Sequence, residues 1–176
     1  DKRILFENSC MIIPATVIEH YDNNFDSSST PRNESHNYFN PKLGLKYFVI
    51  NWMSIKTNIA KYIREPSFFE LFGDRGFFNG NSDLKAESGT NFDLGIEVNK
   101  NIYGLPISSL RFNSAYFMSN VKDVISYVYN SRGIGQAVNI SESMTNGVET
   151  SLVIDFIKYI SLSSNYTWQS PVNKSQ

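Results

Sequence analysis

From Thr90 to Val98 every second residue is apolar. Phe92, Leu94, Ile96 and Val98 fall on one face of an extended chain, and Asn91, Asp93, Gly95 and Glu97 fall on the other. The same rule governs five more segments. Leu43, Leu45, Tyr47 and Val49 oppose Lys42, Gly44, Lys46 and Phe48; Met53, Ile55, Thr57, Ile59 and Ile63 oppose Ser54, Lys56, Asn58, Ala60 and Tyr62. Leu110, Phe112, Tyr116 and Met118 oppose Arg111, Asn113, Ala115 and Phe117. Val148, Thr150, Leu152, Ile154 and Phe156 oppose Glu149, Ser151, Val153 and Asp155, and Ile160, Leu162, Tyr166 and Trp168 oppose Ser161, Ser163, Asn165 and Thr167. A helix repeats its apolar stripe every three to four residues, so this period of two points to an all-β chain. Lys61 breaks the rule on the apolar side, which a lysine near a strand end can do by reaching toward headgroups. The more uniformly apolar stretch from Cys10 to Tyr21 has no assignable faces, and Pro14 marks it as irregular or an edge.

The connections alternate in length. Ile50 to Trp52, Asn99 to Pro106 and Ile157 to Lys158 are short, whereas Asn23 to Asn37, Glu65 to Ser88 and Asn120 to Met144 are long. Short turns at one end and long loops at the other are the rhythm of a strand meander crossing a bilayer. The expectation is an antiparallel up-and-down meander of about seven or eight strands, part of a transmembrane β-barrel, with long outer loops near residues 23–37, 65–88 and 120–144. Val124 to Tyr129 can extend a strand beyond the membrane. Trp52, Tyr103 and Tyr159 at the short turns, with Tyr62, Phe117 and Tyr166 toward the long loops, suit aromatic girdles.

Thirteen Phe, ten Tyr and two Trp fit a pleated, partly buried surface. No apolar run approaches the roughly 18 residues of a membrane-crossing helix, which leaves barrel strands of about 9 to 11 residues open. A net charge of −1 gives no electrostatic reason to expect nucleic acid as a partner. Cys10 is the only cysteine, so neither an internal disulfide nor a cysteine metal cluster can form within the chain. The chain begins at Asp1 instead of Met and reads as part of a longer protein.

One stretch carries more than periodicity. Arg64 and Pro66 precede Glu70-Leu71; Gly80-Asn81, Leu84-Lys85 and Glu87 follow; then comes Asn91-Phe92-Asp93-Leu94-Gly95-Ile96-Glu97. This order resembles the barrel strands of TonB-dependent outer-membrane receptors. Asn40-Pro41-Lys42-Leu43-Gly44-Leu45, Ala115-Tyr116-Phe117 through Val121-Lys122-Asp123-Val124-Ile125, and Ala137-Val138-Asn139-Ile140 before Gly147-Val148-Glu149 resemble further pieces of the same family, across roughly Tyr38 to Thr167. Ser82 and Ala86 stand where that family commonly has prolines. The resemblance implies a wall segment of a barrel of roughly 22 strands in the bacterial outer membrane, in contact with its lipid. It also implies uptake of a scarce nutrient of the ferric siderophore, haem or cobalamin class, driven through TonB acting on an N-terminal plug. No stretch of these residues reads as the plug.

Catalytic and metal chemistry find no constellation, and no enzyme activity or cofactor is expected. His20 and His36 are the only histidines and have no neighbours at metal-ligand spacing. No Gly-x-Ser-x-Gly elbow occurs, and Gly133-x-Gly135 lacks the third glycine of a phosphate loop. Asp22-Asn23-Asn24-Phe25-Asp26 starts like an EF-hand, but Ser27 and Asn33 stand where the turn glycine and closing glutamate belong, which leaves only calcium held by a long outer loop. Asp93 and Glu97 are about 13 Å apart along one strand, too far for a glycosidase pair. The candidate ligand contacts are Phe72, Asp74, Arg75, Phe77 and Phe78 in one long loop, with Phe68 and Phe69 beside them, and Tyr127 and Tyr129 in the next. Packing of loop against loop is the competing use for these rings. Two other architectures remain open: a complete eight-stranded outer-membrane barrel acting as an adhesin or structural protein, and a soluble β-sandwich binding module.

Overall fold

Each alternating segment forms a strand, and each strand pairs antiparallel with the next long one in the chain. The computed structural model describes residues 9–25, 32–74, 76–103, 106–156 and 160–173. Its elements are β1 (Ser9–Phe25), β2 (Arg32–Ile50), β3 (Met53–Arg64), α1 (Phe68–Phe72), β4 (Phe78–Asn79), β5 (Glu87–Asn101), β6 (Ile107–Tyr129), β7 (Gly135–Phe156) and β8 (Ile160–Asn173). The two-residue β4 is the exception to the meander, lying parallel against the start of β7.

Register turns the period of two into two chemically distinct faces. Ile12, Leu45, Thr57, Leu94, Tyr116, Val148 and Trp168 are successive cross-strand partners, as are Ile13, Gly44, Asn58, Asp93, Phe117, Gly147 and Gln169 one residue along. A slip of one residue would exchange the faces, so the apolar pattern fixes the pairing. The register also assigns β1, placing Ile12 and Ile18 with the apolar face and Met11, Ile13 and Val17 with the polar one. Polar-face side chains satisfy one another: Lys46 Nζ donates to Glu97 Oε2 at 3.0 Å, Asn58 to Asp93 at 2.8 Å and Arg111 to Asp155 at 3.0 Å.

The apolar face has nothing over it. Among the described residues the sheet is a single layer, and Leu94, Ile96, Tyr116, Leu162 and Trp168 are all exposed. A β-sandwich would bury these side chains under a second sheet, so that reading is set aside. β1 and β8 do not pair with each other, so these strands do not close into an eight-stranded barrel by themselves. On β5 the outward positions from Phe92 to Val98 are uncharged and end at Lys100, which stacks over the Trp52 ring at 4.6 Å. From Thr90 to Lys100 the strand rises about 34 Å, or about 26 Å along the normal at a tilt of about 40°, which matches the apolar band of a barrel wall.

The strands outrun the expected loops. β1 and β2 pair out to Phe25 and Arg32, and β6 and β7 out to Tyr129 and Gly135, so most of 23–37 and of 120–144 is ladder, and the β3–β5 connection runs from Glu65 to Ala86. In these extensions polar residues stand on both faces, so the apolar contrast that marks a strand disappears. Asn23 and Asn24, in the segment considered for calcium, lie on β1; Asp26 falls outside the described residues. Two of the expected girdle rings stand on the polar face. Tyr62 lies across from Gly89, and Phe117 across from Gly147, each ring covering the glycine. Tyr166 is outward and exposed, and Tyr159 is outside the described residues.

A Cβ at Gly147 would sit 2.3 Å from the Trp168 carbonyl oxygen and 2.7 Å from the Phe117 ring. Gly147→Val is therefore expected to cost about 1–3 kcal/mol by prising β7 from β8 and displacing Phe117. A denaturant titration of the full protein should show it, and an unchanged midpoint would contradict the close approach.

Candidate functional site

The β3–β5 connection is a folded unit. Pro66 ends the strand pattern, and Ser67, extended at φ −71° and ψ 160°, caps α1: Ser67 Oγ accepts from the Glu70 N–H while the Glu70 carboxylate accepts from the Ser67 N–H at 2.7 Å. Gly73, at φ +72°, stops the single turn in a conformation that favours glycine. Asp74 Oδ1 then accepts from the N–H groups of Gly76 and Phe78 at 2.8 and 2.9 Å, closing a tight turn into β4. These backbone donors hold the Asp74 carboxyl below its ordinary range.

This unit docks on the β6–β7 hairpin, which stands beyond the end of β5. β4 pairs with Gly135 and Gln136, and Asn81 Nδ2 donates to the Ala137 carbonyl at 2.9 Å. Asn139 accepts from Lys85 N–H at 2.8 Å and donates to the Lys85 carbonyl at 3.0 Å and to the Asp123 carbonyl at 2.6 Å. Phe78, Leu84, Ile125 and Ala137 form the core between them, with Leu71 packed against it.

Beside this core lies a charge network. Glu70, 3% exposed, accepts from Arg64 at 3.1 Å, from Ser67 Oγ at 2.9 Å and from the Tyr127 hydroxyl at 3.0 Å. Arg64 Nε also donates to Glu87 at 2.8 Å, and the other Glu87 oxygen accepts from the Ile125 N–H at 2.6 Å. Glu87 thus supplies an acceptor to β6 just where the β5 ladder stops. Buried carboxylates are tolerated here because their lone pairs are filled and a guanidinium is shared between them. At the loop's entrance Glu65 accepts from the Tyr38 hydroxyl and lies 3.3 Å from His36 Nδ1, tying the loop to β2.

The predicted contact residues divide. Phe78 is 7% exposed, stacks on Phe69 with centroids 4.5 Å apart and meets Tyr127 edge-on at 5.3 Å, so its ring belongs to the loop core. Asp74 is committed to its turn, and the Tyr127 hydroxyl to Glu70. Phe77 and Tyr129, 81% and 70% exposed, stand outside this packing, with exposed Phe72 and Phe68 at the helix. Arg75 lies outside the described residues. The network of Arg64, Glu70 and Glu87 was visible in sequence only as motif letters. Among the described residues no group of three or more His, Cys, Asp or Glu side chains could hold a metal. The arrangement is a folded loop unit that presents exposed aromatic rings beside the polar face of the sheet.

Comparison with known proteins agrees with this architecture. A family model described as "TonB dependent receptor-like, beta-barrel" matches residues 14–176. No curated protein sequence matches. Among solved structures, the siderophore receptor PirA of Pseudomonas aeruginosa superposes with a TM-score of 0.70 at 19% identity, over 96% of this chain and 30% of that one. The copper transporter OprC gives 0.69 at 15% identity, over 85% and 22%. The Serratia marcescens hemophore receptor HasR, solved as a double mutant with its hemophore HasA and heme, gives 0.65 at 17% identity, over 92% and 30%. The chain thus spans less than a third of the length of each of these. With its meander of two-faced strands and a family match over nearly its whole length, the chain belongs to the TonB-dependent receptor β-barrel family.

Proposed function

We infer that these strands are part of the wall of a bacterial outer-membrane receptor that takes up a scarce nutrient of the ferric siderophore, haem or cobalamin class. The outward apolar band contacts membrane lipid. Energy comes from TonB, acting through a plug carried elsewhere in the complete receptor. The observation that carries the reading is the pairing of an uncovered apolar face, bounded by lysines, with a folded outer loop that presents exposed rings beside the polar face. The structural relatives include a siderophore receptor and a hemophore receptor bound to heme, which supports the nutrient class.

Phe77 and Tyr129 are the residues proposed to touch the ligand, with Phe72 beside them; Arg75 is kept as a candidate from sequence. Phe78, Asp74 and Tyr127 are proposed to act by holding the loop in shape. Replacing Phe77 and Tyr129 together by alanine in the full receptor is expected to weaken ligand binding about tenfold or more, because exposed aromatic anchors contribute at least 1–2 kcal/mol to an interface. Equilibrium binding of ferric siderophores and haem to purified receptor, with thermal melting as a folding control, tests this. Unchanged affinity for a ligand that the receptor demonstrably binds would move the contact elsewhere.

A further inference from the structure

The outward face changes character along one row of partners. Lys61 on β3, Thr90 on β5 and Asn120 on β6 are neighbours across the sheet, and Ser88 and Lys122 pair one step nearer the outer loops. Below that row the same columns continue as Ile59, Phe92 and Met118, the upper edge of the apolar band. The five polar side chains, with the backbone at Gly89, surround a depression of about 190 Å³.

Both lysines are exposed, and neither has an ion-pair partner among the described residues. Glu142, the cross-strand partner of Lys122, stands on β7 and does not line the depression. Asn120 keeps its Oδ1 shut from solvent without a donor, which leaves the amide NH2 as the group it can offer to the depression. Lys61 and Lys122 are two strands apart and offset by two residues, about 10 Å across the sheet and about 7 Å along it, or about 12 Å in all, a span that two lysine stems reaching toward each other can close on one small anion.

We propose that Lys61, Lys122, Ser88, Thr90 and Asn120 form a binding site for the phosphate of a membrane lipid at the outer boundary of the wall. Phosphate fits two unneutralised ammonium groups backed by hydroxyl and amide donors. Lipid is the source because the depression opens directly above the apolar band: acyl chains lie on Ile59, Phe92 and Met118 while the phosphate meets the lysines. The assignment rests on the membrane-wall reading given under the proposed function.

The test uses the full receptor in nanodiscs of phosphatidylcholine doped with phosphatidic acid, with the lipids retained on release counted by native mass spectrometry. Wild type should retain phosphatidic acid preferentially. The preference should fall about tenfold or more in Lys61→Gln/Lys122→Gln and return in Lys61→Arg/Lys122→Arg. Equal preference in the wild type and the glutamine variant, with phosphatidylcholine still retained, overturns the site and leaves the wall reading standing. Loss of the preference on adding inorganic phosphate would assign the site to free phosphate and overturn the lipid source. Retention of neither lipid by a receptor that is monodisperse without detergent would overturn the wall reading itself.

Discussion

Glu70→Ala is expected to undock the β3–β5 loop from the β6–β7 hairpin while the wall stays folded. The substitution removes the acceptor shared by the Ser67 N–H, the Ser67 hydroxyl, Arg64 and the Tyr127 hydroxyl. Loss of a capping box costs about 1 kcal/mol and loss of bonds to a charged group about 1.5–3 kcal/mol. Arg64 is 42% exposed, so its share belongs at the low end. The local docking equilibrium should shift by about 2–4 kcal/mol, so amides between Phe68 and Leu84 should exchange about 30-fold faster or more, while those of β5 and β6 in the wall keep their protection. Unchanged loop exchange would show that the apolar core of Phe78, Leu84, Ile125 and Ala137 holds the unit without the carboxylate.

The same group sets a pH dependence. Burial raises the Glu70 carboxyl, but the bonds from the Ser67 N–H, Arg64, the Ser67 hydroxyl and Tyr127 outweigh it and hold the group below its ordinary value of 4.5. A carboxyl depressed in the folded state contributes fully above that ordinary value and loses its contribution as pH falls through the depressed one. Docking should be flat around neutrality and weaken only in acid, read as amide exchange within the loop relative to that of the β5 and β6 amides at each pH. Glu70→Gln should remove only the Glu70 share of the acid response, because Asp74 and Glu87, held below their ordinary values in the same unit, contribute the rest.

How much of this could be read from the chain depended on whether a residue's place follows from local alternation or from a partner distant in sequence. On one face of β5 Phe92, Leu94, Ile96 and Val98 alternate with polar neighbours on the other, and the wall with its two faces followed from that period. Arg32 to Asn37 and Tyr127 to Tyr129 continue the same ladders without the apolar-polar alternation, so their strands looked like loops. Pro41 is tolerated within β2. It lies just past the last β2–β3 pair, Lys42 with Ala60, where one flank of β2 needs no donor. At the candidate site the aromatic loop was legible as a cluster, but its division was not. Phe77 and Phe78 are adjacent and chemically identical, and only the docking of β4 on β7 decides which ring is buried. The convergence of Arg64, Glu70, Glu87, Ile125 and Tyr127 depends on register across three strands and a helix turn, which local sequence does not contain.

Leu94→Arg is expected to give the largest effect on assembly. Leu94 is outward on β5, between Thr57 and Tyr116, midway between Thr90 and Lys100 and with no carboxylate among its cross-strand partners. An arginine there meets the bilayer near its midplane, at a cost of about 2–4 kcal/mol. Ala115→Arg is the matched control, one residue from the Leu94 partner Tyr116 but on the polar face, with Glu149 as its cross-strand partner. Denaturant-controlled folding of the full receptor into bilayers, followed by heat-modifiable gel mobility, should separate the two. Leu94→Arg should lower the folded fraction steeply and Ala115→Arg only slightly. Near-equal effects would mean that the two faces meet similar surroundings. That would remove the physical basis for a membrane wall whatever the family match, because among the described residues the sheet has no second layer and the proposal rests on lipid covering its outward side chains.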